Sequence, residues 1–249
     1  MGKLITITGL EGAGKSTLAA NLSYMLAEKE QVVVLIASNL NYGGLQLFTG
    51  DEITPDKGIF ACLSDKSGQP EKYLTQSKAN PNIFLLGVPN DTNEPYTFEI
   101  ERPLLEGIFN KLSPNFDFII VDGTSGLYNP ISILSLLLSQ YVFEVLQINV
   151  KSSLRNKAIN STLSQLCQNT SSGDITYIIS EHNVGCHLKL FLDSNNITPA
   201  FFIPYVPHAH NYESASKLIC SDKRGKSMKY KKAVGKIASN LISGSRGGD

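Results

Sequence analysis

Gly9-Leu10-Glu11-Gly12-Ala13-Gly14-Lys15-Ser16-Thr17 is the stretch that decides the fold, because it matches the phosphate-loop pattern G-x-x-x-x-G-K-[ST] at every required position. Residues 4–8 before it are apolar and β-branched, which predicts a buried strand, and residues 18–26 after it have apolar side chains at helical spacing. A strand, a glycine turn and a helix in this order direct several backbone N–H groups at one point, where the helix dipole adds positive charge. The stretch therefore predicts a binding site for the phosphates of a nucleoside triphosphate or diphosphate.

The side chains of the loop have separate expected roles. We expect Lys15 to reach the β- and γ-phosphates and the hydroxyl of Ser16 to ligate Mg²⁺. We expect all nine residues to contact ATP or ADP, namely Gly9, Leu10, Glu11, Gly12, Ala13, Gly14, Lys15, Ser16 and Thr17.

A second element of the same site is predicted further along the chain. Residues 116–122 (FDFIIVD) have the pattern of a buried strand with Asp122 at its carboxyl end, which is typical of a Walker B element. Mg²⁺ keeps several waters in its octahedral shell and needs a nearby carboxylate to hold them. We therefore expect Asp122 and Ser16 to form the metal site, with Lys15 and Asp122 as catalytic groups.

The alternation of apolar strands and helical patterns predicts a parallel sheet with crossover helices. Strands are predicted over residues 4–8, 31–37, 83–86, 116–122, 142–150, 175–179 and 201–203. Helices are predicted after the loop and over residues 99–112, 131–139, 154–168, 188–192, 212–219 and 229–242, and residues 38–80 read as a long polar excursion. We expect one α/β P-loop domain over residues 1–242, with seven to eight strands and helices on both faces, and a flexible tail over residues 243–249.

The composition excludes several classes of protein. A chain of 249 residues with 42% hydrophobic content can bury a full core, and no apolar run approaches the 18 residues or so of a membrane span. Because the first core strand begins within three residues of Met1, we expect no signal peptide. The four cysteines are scattered without a C-x-x-C pair, which argues against a metal or disulfide framework and fits a reducing cytoplasm.

The net charge of zero hides a basic C-terminal region. From Lys217 onward there are nine Lys and Arg against two Asp, so this region carries +7 and the rest of the chain carries −7. Such a region could contact nucleic acid or an anionic membrane, and the alternative is a solvated face of the terminal helices.

The order of these elements resembles the MinD/ParA group of deviant-Walker ATPases, within the SIMIBI class of P-loop proteins. Three segments after the phosphate loop are similar to family segments: Gly123-Thr124-Ser125 behind Asp122, Lys151-Ser152-Ser153-Leu154-Arg155-Asn156 at a helix start, and Ile203-Pro204-Tyr205-Val206-Pro207. The stretch Asn41-Tyr42-Gly43-Gly44-Leu45 looks most like the CpaE/TadZ branch, which serves pilus assembly and polar localisation. The resemblance implies adenine contacts at Ser180 and at the backbone of Pro204, Tyr205 and Val206.

The chain also departs from the family pattern. The signature lysine of the family's K-G-G-x-G-K-[ST] loop aligns with Leu10, and the glycine after it with Glu11. Two family aspartates, one tied to water activation, align with Asn39 and Asn41. Because an amide can position a water molecule but cannot take its proton, we expect weak or absent hydrolysis, with Asn41 in the position of the catalytic group.

The resemblance implies a switch protein that pairs as a homodimer on binding ATP. Leu10 would add apolar surface to the dimer face. We expect such a switch to position or assemble the protein partners of a localisation or assembly machine. It would be cytoplasmic, peripheral to a membrane at most, and recruited to a pole or membrane by those partners.

Other functions stay open at this point. The chain could be a competent ATPase that uses other groups for hydrolysis. It could also be a DNA-partitioning ParA, which the basic C-terminal region favours. A small-molecule kinase fits the sequence less well, because such an enzyme needs a lid with clustered arginines to bind the acceptor. Arg102 and Arg155 are the only arginines from residue 38 to residue 155. An apolar stripe at Val234, Ile237, Ala238, Leu241 and Ile242 predicts a helix that packs on the core, and the alternative is a membrane-targeting helix.

Overall fold

The structure is a computed structural model that describes residues 2–65, 67–90, 100–168, 175–182 and 187–244. Its strands are β1 (Lys3–Gly9), β2 (Val33–Ala37), β3 (Thr75–Gln76), β4 (Ile83–Leu86), β5 (Phe118–Asp122), β6 (Tyr141–Leu146), β7 (Ile175–His182) and β8 (Phe201–Pro204). Its α-helices are α1 (Lys15–Ala27), α2 (Gln46–Thr49), α3 (Gly58–Ser64), α4 (Arg102–Leu112), α5 (Pro130–Leu138), α6 (Val150–Gln168), α7 (Leu188–Asn195), α8 (Ala209–Ser214) and α9 (Gly225–Ser243). Two 3₁₀ turns occupy Pro70–Tyr73 and Ile219–Ser221.

The eight strands form one sheet in the order β3-β4-β2-β5-β1-β6-β7-β8. Every pairing is parallel except that of the two-residue strand β3 with β4. The prediction of a single α/β domain with a mostly parallel sheet is confirmed. Since β1 lies between β5 and β6, the loop that follows β1 opens where the carboxyl ends of these three strands meet, which is the usual ligand crevice of open α/β sheets.

Each face of the sheet carries its own apolar core. One core joins β1, β2 and β5 to α1 and α9, with Leu18, Leu22 and Leu26 of α1 fully buried. The opposite core joins the other faces of the same strands to α3, α4 and α5. Helices therefore cover both faces, as predicted, and hold the carboxyl ends of the central strands in place.

The apolar stripe of the terminal helix packs on the core. Val234, Ile237, Ala238 and Leu241 are buried beside α1 and β8, and Ile242 at the end of the stripe is exposed. The prediction of core packing is confirmed for these four residues. Across the described residues, no helix combines the length and apolar character that a membrane crossing requires. Helix α9 ends at Ser243, and residues 245–249 of the predicted tail lie outside the described residues.

The region predicted as a long excursion has structure of its own. Residues 38–80 contain α2, α3, a 3₁₀ turn and β3. Ile53 and Ile59 are fully buried there, and the carboxylate of Asp51 accepts hydrogen bonds from Ser77 and from the backbone of Lys78. The sequence did not predict these elements, because they are too short to show a clear period and are stabilised by packing.

Several predicted boundaries also differ from the structure, and two of them have a local cause. Strand β6 ends at Leu146, not at residue 150, because the side chain of Asn149 accepts a hydrogen bond from the backbone of Ser152 at 2.8 Å and so caps the start of α6. The helix predicted over residues 212–219 is α8 instead, because Ser216 adopts a left-handed conformation (φ 50°) that ends the helical path.

Candidate functional site

The loop between β1 and α1 has the backbone conformation that its glycines permit. Gly9, Gly12 and Gly14 have φ values of 148°, 75° and 89°, which residues other than glycine rarely adopt. A Cβ on Gly9 would also lie 2.3 Å from the carbonyl oxygen of Val145 on the neighbouring strand. The loop is therefore bent into a cradle whose shape the sequence motif requires.

One hydrogen bond within the loop and two from neighbouring side chains hold this cradle. The amide of Ala13 donates to the carbonyl of Leu10 at 3.1 Å, and Gln147 donates to the carbonyl of Gly12 at 3.1 Å. The hydroxyl of Ser180 donates to the carbonyl of Ala13 at 2.6 Å. The carbonyls of Gly12 and Ala13 are thus bonded to side chains outside the loop, and the carbonyl of Leu10 is bonded within it.

Lys15 is folded back over the loop. Its Nζ donates to the carbonyl of Leu10 at 3.0 Å. Burial lowers the pKa of its ammonium most strongly, the carboxylate of Asp122 opposes that change, and the guanidinium of Arg155 adds to it. The carboxylate of Glu11 also opposes it, so the ammonium interacts with three other charged groups, and Lys15 lines the cavities on both sides of the loop.

Ser16 and Asp122 meet beside Lys15. The register pairs Asp122 with Ile7 of β1 and Ala37 of β2, so the carboxyl end of β5 delivers the carboxylate to the loop. Burial raises the pKa of Asp122 to about 6, against the opposing effects of the Ser16 hydroxyl, which donates to the carboxylate, and of Lys15. Oδ1 of Asp122 is buried and has no hydrogen-bond partner among the described residues. A hydroxyl and a carboxylate with an unused oxygen form a donor set that suits a hard divalent cation such as Mg²⁺.

A cavity of about 540 Å³ opens from this point toward the ends of β2 and β5. Residues 39–42 line one wall, and residues 122–125 and 128–130 line another. Asn41 is exposed there, and its backbone N–H donates to the side-chain oxygen of Asn39 at 3.1 Å. Tyr42 and Tyr128 stand at the mouth and are 60% and 81% exposed. The predicted residues Lys15, Ser16, Asp122 and Asn41 are thus brought together around one space.

A second cavity, of about 310 Å³, opens on the other side of the loop. It shares Gly12, Lys15 and Ser16 with the first cavity and adds Gly14 and Thr17. Side chains that the sequence did not single out form its far wall: Phe48, Ala209, His210, Tyr212, Glu213, Lys217 and Ile219. Most of them belong to α8, which packs against α2, or to the segment after it, whose 3₁₀ turn packs against α1. Nothing local in the sequence marks them, because they reach the loop through these contacts.

The four predicted adenine contacts have different surroundings. Ser180 is buried under the loop, Val206 is buried in the core, and Tyr205 is 43% exposed. Pro204 is half-buried at the end of β8. None of the four is among the residues that line the two cavities.

Leu10 and Glu11 differ in their surroundings. Leu10 is half-buried and packs against the core that includes α1, whereas Glu11 is exposed and lines the larger cavity. The apolar surface that Leu10 offers to a partner is therefore smaller than the sequence suggested.

Solved structures share this architecture over nearly the whole chain. The septum site-determining protein MinD complexed with Mg-ADP from Pyrococcus horikoshii has a TM-score of 0.79 at 18% identity, covering 98% of both chains. MinD in the MinC:MinD cell division complex of Aquifex aeolicus scores 0.77 at 21% identity, covering 99% of this chain and 98% of that one. A ParA family ATPase from Chlorobium tepidum scores 0.75 at 17% identity, covering 95% and 99%. The chain has the MinD/ParA fold.

The MinD/ParA likeness extends to sequence over half of the chain. The septum site-determining protein MinD of Thermotoga maritima is 30% identical over 131 residues, which cover 51% of this chain and 46% of that protein. MinD of Synechocystis is 30% identical over 128 residues, covering 51% and 47%. The matched part is thus about half the length of these curated relatives. No protein-family model matches the chain.

Proposed function

We propose that the chain is a nucleotide-dependent switch of the MinD/ParA type that binds ATP or ADP with Mg²⁺. The observation that carries the proposal is the convergence of Lys15, Ser16 and the unpartnered Oδ1 of Asp122 at the junction of two cavities beside a preformed phosphate loop. A preformed cradle of amides with one ammonium is suited to phosphate chains and to few other ligands.

The metal would be held by Ser16 and Asp122. Ser16 would turn its hydroxyl oxygen from the carboxylate to Mg²⁺, and Asp122 would hold a water of the metal shell with its free oxygen. When bound, Mg²⁺ supplies neutralisation of charge on the β- and γ-phosphates. The MinD of Pyrococcus horikoshii, which has the same fold, was solved with Mg-ADP, and this supports the assignment.

The two cavities would divide the nucleotide between them. The larger cavity lies beside Asp122, so it would take the γ-phosphate with its metal and water. The smaller one begins at Thr17 and includes the rings of Phe48 and Tyr212, which suit a nucleoside. Ser180 would then support the loop through Ala13 and leave contact with the base to α8, while Pro204, Tyr205 and Val206 position the segment that leads into α8.

Hydrolysis would be slow. Asn39 and Asn41 stand at the γ-phosphate side of the site, where a general base would be required, and neither amide can accept a proton from water. Leu10 packs against the core where the signature lysine of related loops would reach a partner's phosphates. The switch would therefore depend on which nucleotide is bound more than on rapid turnover.

The output of the switch would be the positioning or assembly of other proteins. MinD of Aquifex aeolicus was solved in complex with MinC, which supports a protein partner for this fold. We propose a homodimer formed on ATP binding, located in the cytoplasm and brought to a pole or membrane by partners. Within this group, the stretch Asn41-Tyr42-Gly43-Gly44-Leu45 favours a role of the CpaE/TadZ kind in pilus assembly or polar localisation.

One observation favours a second candidate, a DNA-partitioning ParA-like protein. Helix α9 has five lysines and no acidic residue, and Lys226, Lys229 and Lys232 are exposed on it. If this helix binds DNA, the affinity for duplex DNA should fall steeply with salt. Affinity for DNA that is undetectable at low salt would exclude the candidate.

Amide hydrogen exchange with each nucleotide tests whether the protein is a switch. With Mg²⁺ and either ATP or ADP, we expect protection over residues 9–17. With ATP alone we expect added protection over residues 39–42 and 123–129, which line the larger cavity. The same protection pattern with both nucleotides would show a binding module without a switch and would overturn the proposal.

A further inference from the structure

A buried ion pair lies behind the phosphate loop. Nη1 of Arg155, on α6, is 2.6 Å from Oε1 of Glu144, on β6. The side chains of Arg155 and Glu144 are 8% and 0% exposed. The second carboxylate oxygen of Glu144 is buried and has no hydrogen-bond partner among the described residues.

Burying this pair costs free energy, because both charged groups lose their contacts with water. Burial raises the pKa of Glu144 and lowers the pKa of Arg155, in each case against the effect of the partner's charge. Well-packed apolar side chains in place of a buried ion pair are often equally or more stabilising. Stabilisation of the fold therefore does not by itself explain the presence of this ion pair.

Arg155 bonds to two further elements of the site. Its Nε donates to the carbonyl of Ser125 at 3.1 Å, and its Nη2 donates to the hydroxyl of Thr8 at 3.3 Å. Thr8 comes directly before Gly9 of the phosphate loop, and Ser125 comes three residues after Asp122 and lines the larger cavity. One guanidinium thus connects the loop strand, β6 and the segment behind Asp122.

That segment, residues 123–129, is tied down at intervals. Gly123 donates to the carbonyl of Ile7 at 2.9 Å, the amide of Thr124 donates to the hydroxyl of Ser132 at 2.9 Å, and Asn129 donates to the carbonyl of Ser38 at 2.7 Å. Arg155 holds the part between Thr124 and Asn129, which includes the wall of the cavity nearest the terminal phosphate of the proposed ligand.

We propose that Arg155 is a positioning residue that sets residues 123–129 against the phosphate loop, so that the site distinguishes a nucleoside triphosphate from a diphosphate. Glu144 orients the guanidinium, whose planar fork can bond to Glu144, Thr8 and Ser125 at once. A lysine cannot, because its ammonium is a single point of contact. This inference rests on the proposed nucleotide function and adds to it the residue that positions the cavity wall next to the γ-phosphate.

The test compares two affinities in variants that leave no charge buried alone. The double variant E144Q/R155M removes both charges at similar volume, and R155K keeps the charge but not the fork. Calorimetry with Mg²⁺ measures the affinity for ADP and for the β,γ-imido analogue of ATP. In the double variant we expect the affinity for the analogue to fall about tenfold, or about 1.4 kcal/mol, and the affinity for ADP to stay within about twofold. We expect the affinity of R155K for the ATP analogue to lie between those of the double variant and the parent.

An exposed arginine pair provides the matched control. Arg102 and Glu106 are four residues apart on α4, at 2.6 Å, with side chains 63% and 33% exposed. The variant R102M/E106Q removes the same chemical groups from two residues that line neither cavity, and we expect both affinities to equal those of the parent.

The outcomes separate this inference from the proposed function. If the parent binds neither nucleotide, the proposed function fails and the inference fails with it. If the parent binds both, but the variants keep the parental ratio of affinities or lose both affinities equally, only the inference is overturned. Should the double variant fail to fold, R155K decides alone, and a parental ratio in R155K overturns the inference.

Discussion

The hydroxyl of Ser180 donates a hydrogen bond of 2.6 Å to the carbonyl of Ala13, so the end of β7 supports the phosphate loop from below. Ser180 is buried and Ala13 is fully enclosed, which shields this bond from water. Because the bond turns the carbonyl inward, the amides of the loop can face a ligand without rearrangement. The loop is therefore preformed, and little of the free energy of binding should be spent on ordering it.

We expect Lys15→Ala to weaken the binding of ATP and ADP. Lys15 is held over the loop by the carbonyl of Leu10 and would exchange that contact for phosphate oxygens. Hydrogen bonds to charged groups contribute about 1.5–3 kcal/mol each, so calorimetry should show affinity lower by about 10- to 150-fold. Lys29→Ala, an exposed lysine just beyond the same helix, is the control and should bind like the parent. Parental affinity in Lys15→Ala would remove the basis of the site assignment.

Turnover of ATP should be slow. Asn41 lies in the larger cavity with no carboxylate in the corresponding position to accept a proton from water. We expect the purified protein to hydrolyse ATP well below the enzyme median of about 10 per second. Asn41→Asp should raise the rate, and Asn110→Asp on the exposed surface of α4 should not. A parent that reaches the median rate without a partner would contradict the account.

Asp122 should make the nucleotide-free and metal-free protein less stable as the pH rises. Its folded-state pKa is raised from 3.8 to about 6, so between these values the folded state binds more protons than the unfolded state. The free energy of unfolding therefore falls as the pH increases from about 4 to about 6.5, by at most about 3 kcal/mol. Urea unfolding measures the free energy of unfolding of the parent and of Asp122→Asn at each pH. The free energy of the parent should fall relative to that of the variant between about pH 4 and about pH 6.5, and should not change relative to it below about pH 4. Parallel pH profiles for the two proteins would show that burial does not perturb this carboxyl.

ATP should favour a homodimer whose contacts are mainly apolar. Tyr42 and Tyr128 are strongly exposed at the mouth of the larger cavity, whereas Leu10 is half-buried in its own subunit. Light scattering should show an ATP-dependent dimer that persists at high salt, because apolar burial is not screened by ions.

The exposed tyrosines give that prediction a matched control. Tyr42→Ser with Tyr128→Ser should shift the protein to a monomer, and Tyr205→Ser, an exposed tyrosine outside both cavities, should not. A monomer under all conditions at concentrations well above micromolar would favour a monomeric binding module.

The phosphate loop and the central strands could be predicted because their signals are local. The motif from Gly9 to Thr17 specifies its own turn, and the apolar runs of β1, β2 and β5 are typical of strands buried on both faces. Asp122 could be placed beside the loop because parallel strands bring their carboxyl ends to one edge.

Long-range packing explains what the sequence could not predict. The guanidinium of Arg155 contacts Thr8, which lies 147 positions earlier in the sequence, and α8 lies near the loop where it packs on α2. The elements in residues 38–80 are too short for a clear period, and the end of β6 is decided by the side chain of Asn149 capping α6. The contacts of Arg155 and of α8 join distant parts of the chain, whereas the cap by Asn149 is a local contact that a pattern of apolar residues does not reveal.

A crystal structure with Mg²⁺ and the β,γ-imido analogue of ATP tests the central claim most directly. We expect the β-phosphate to lie within hydrogen-bond distance of the amides of residues 12–17. Nζ of Lys15 should leave the carbonyl of Leu10 and contact the phosphates, and Mg²⁺ should lie next to Ser16 Oγ on the side of Asp122. Nucleotide bound elsewhere, or a loop without nucleotide at saturating concentrations, would contradict it.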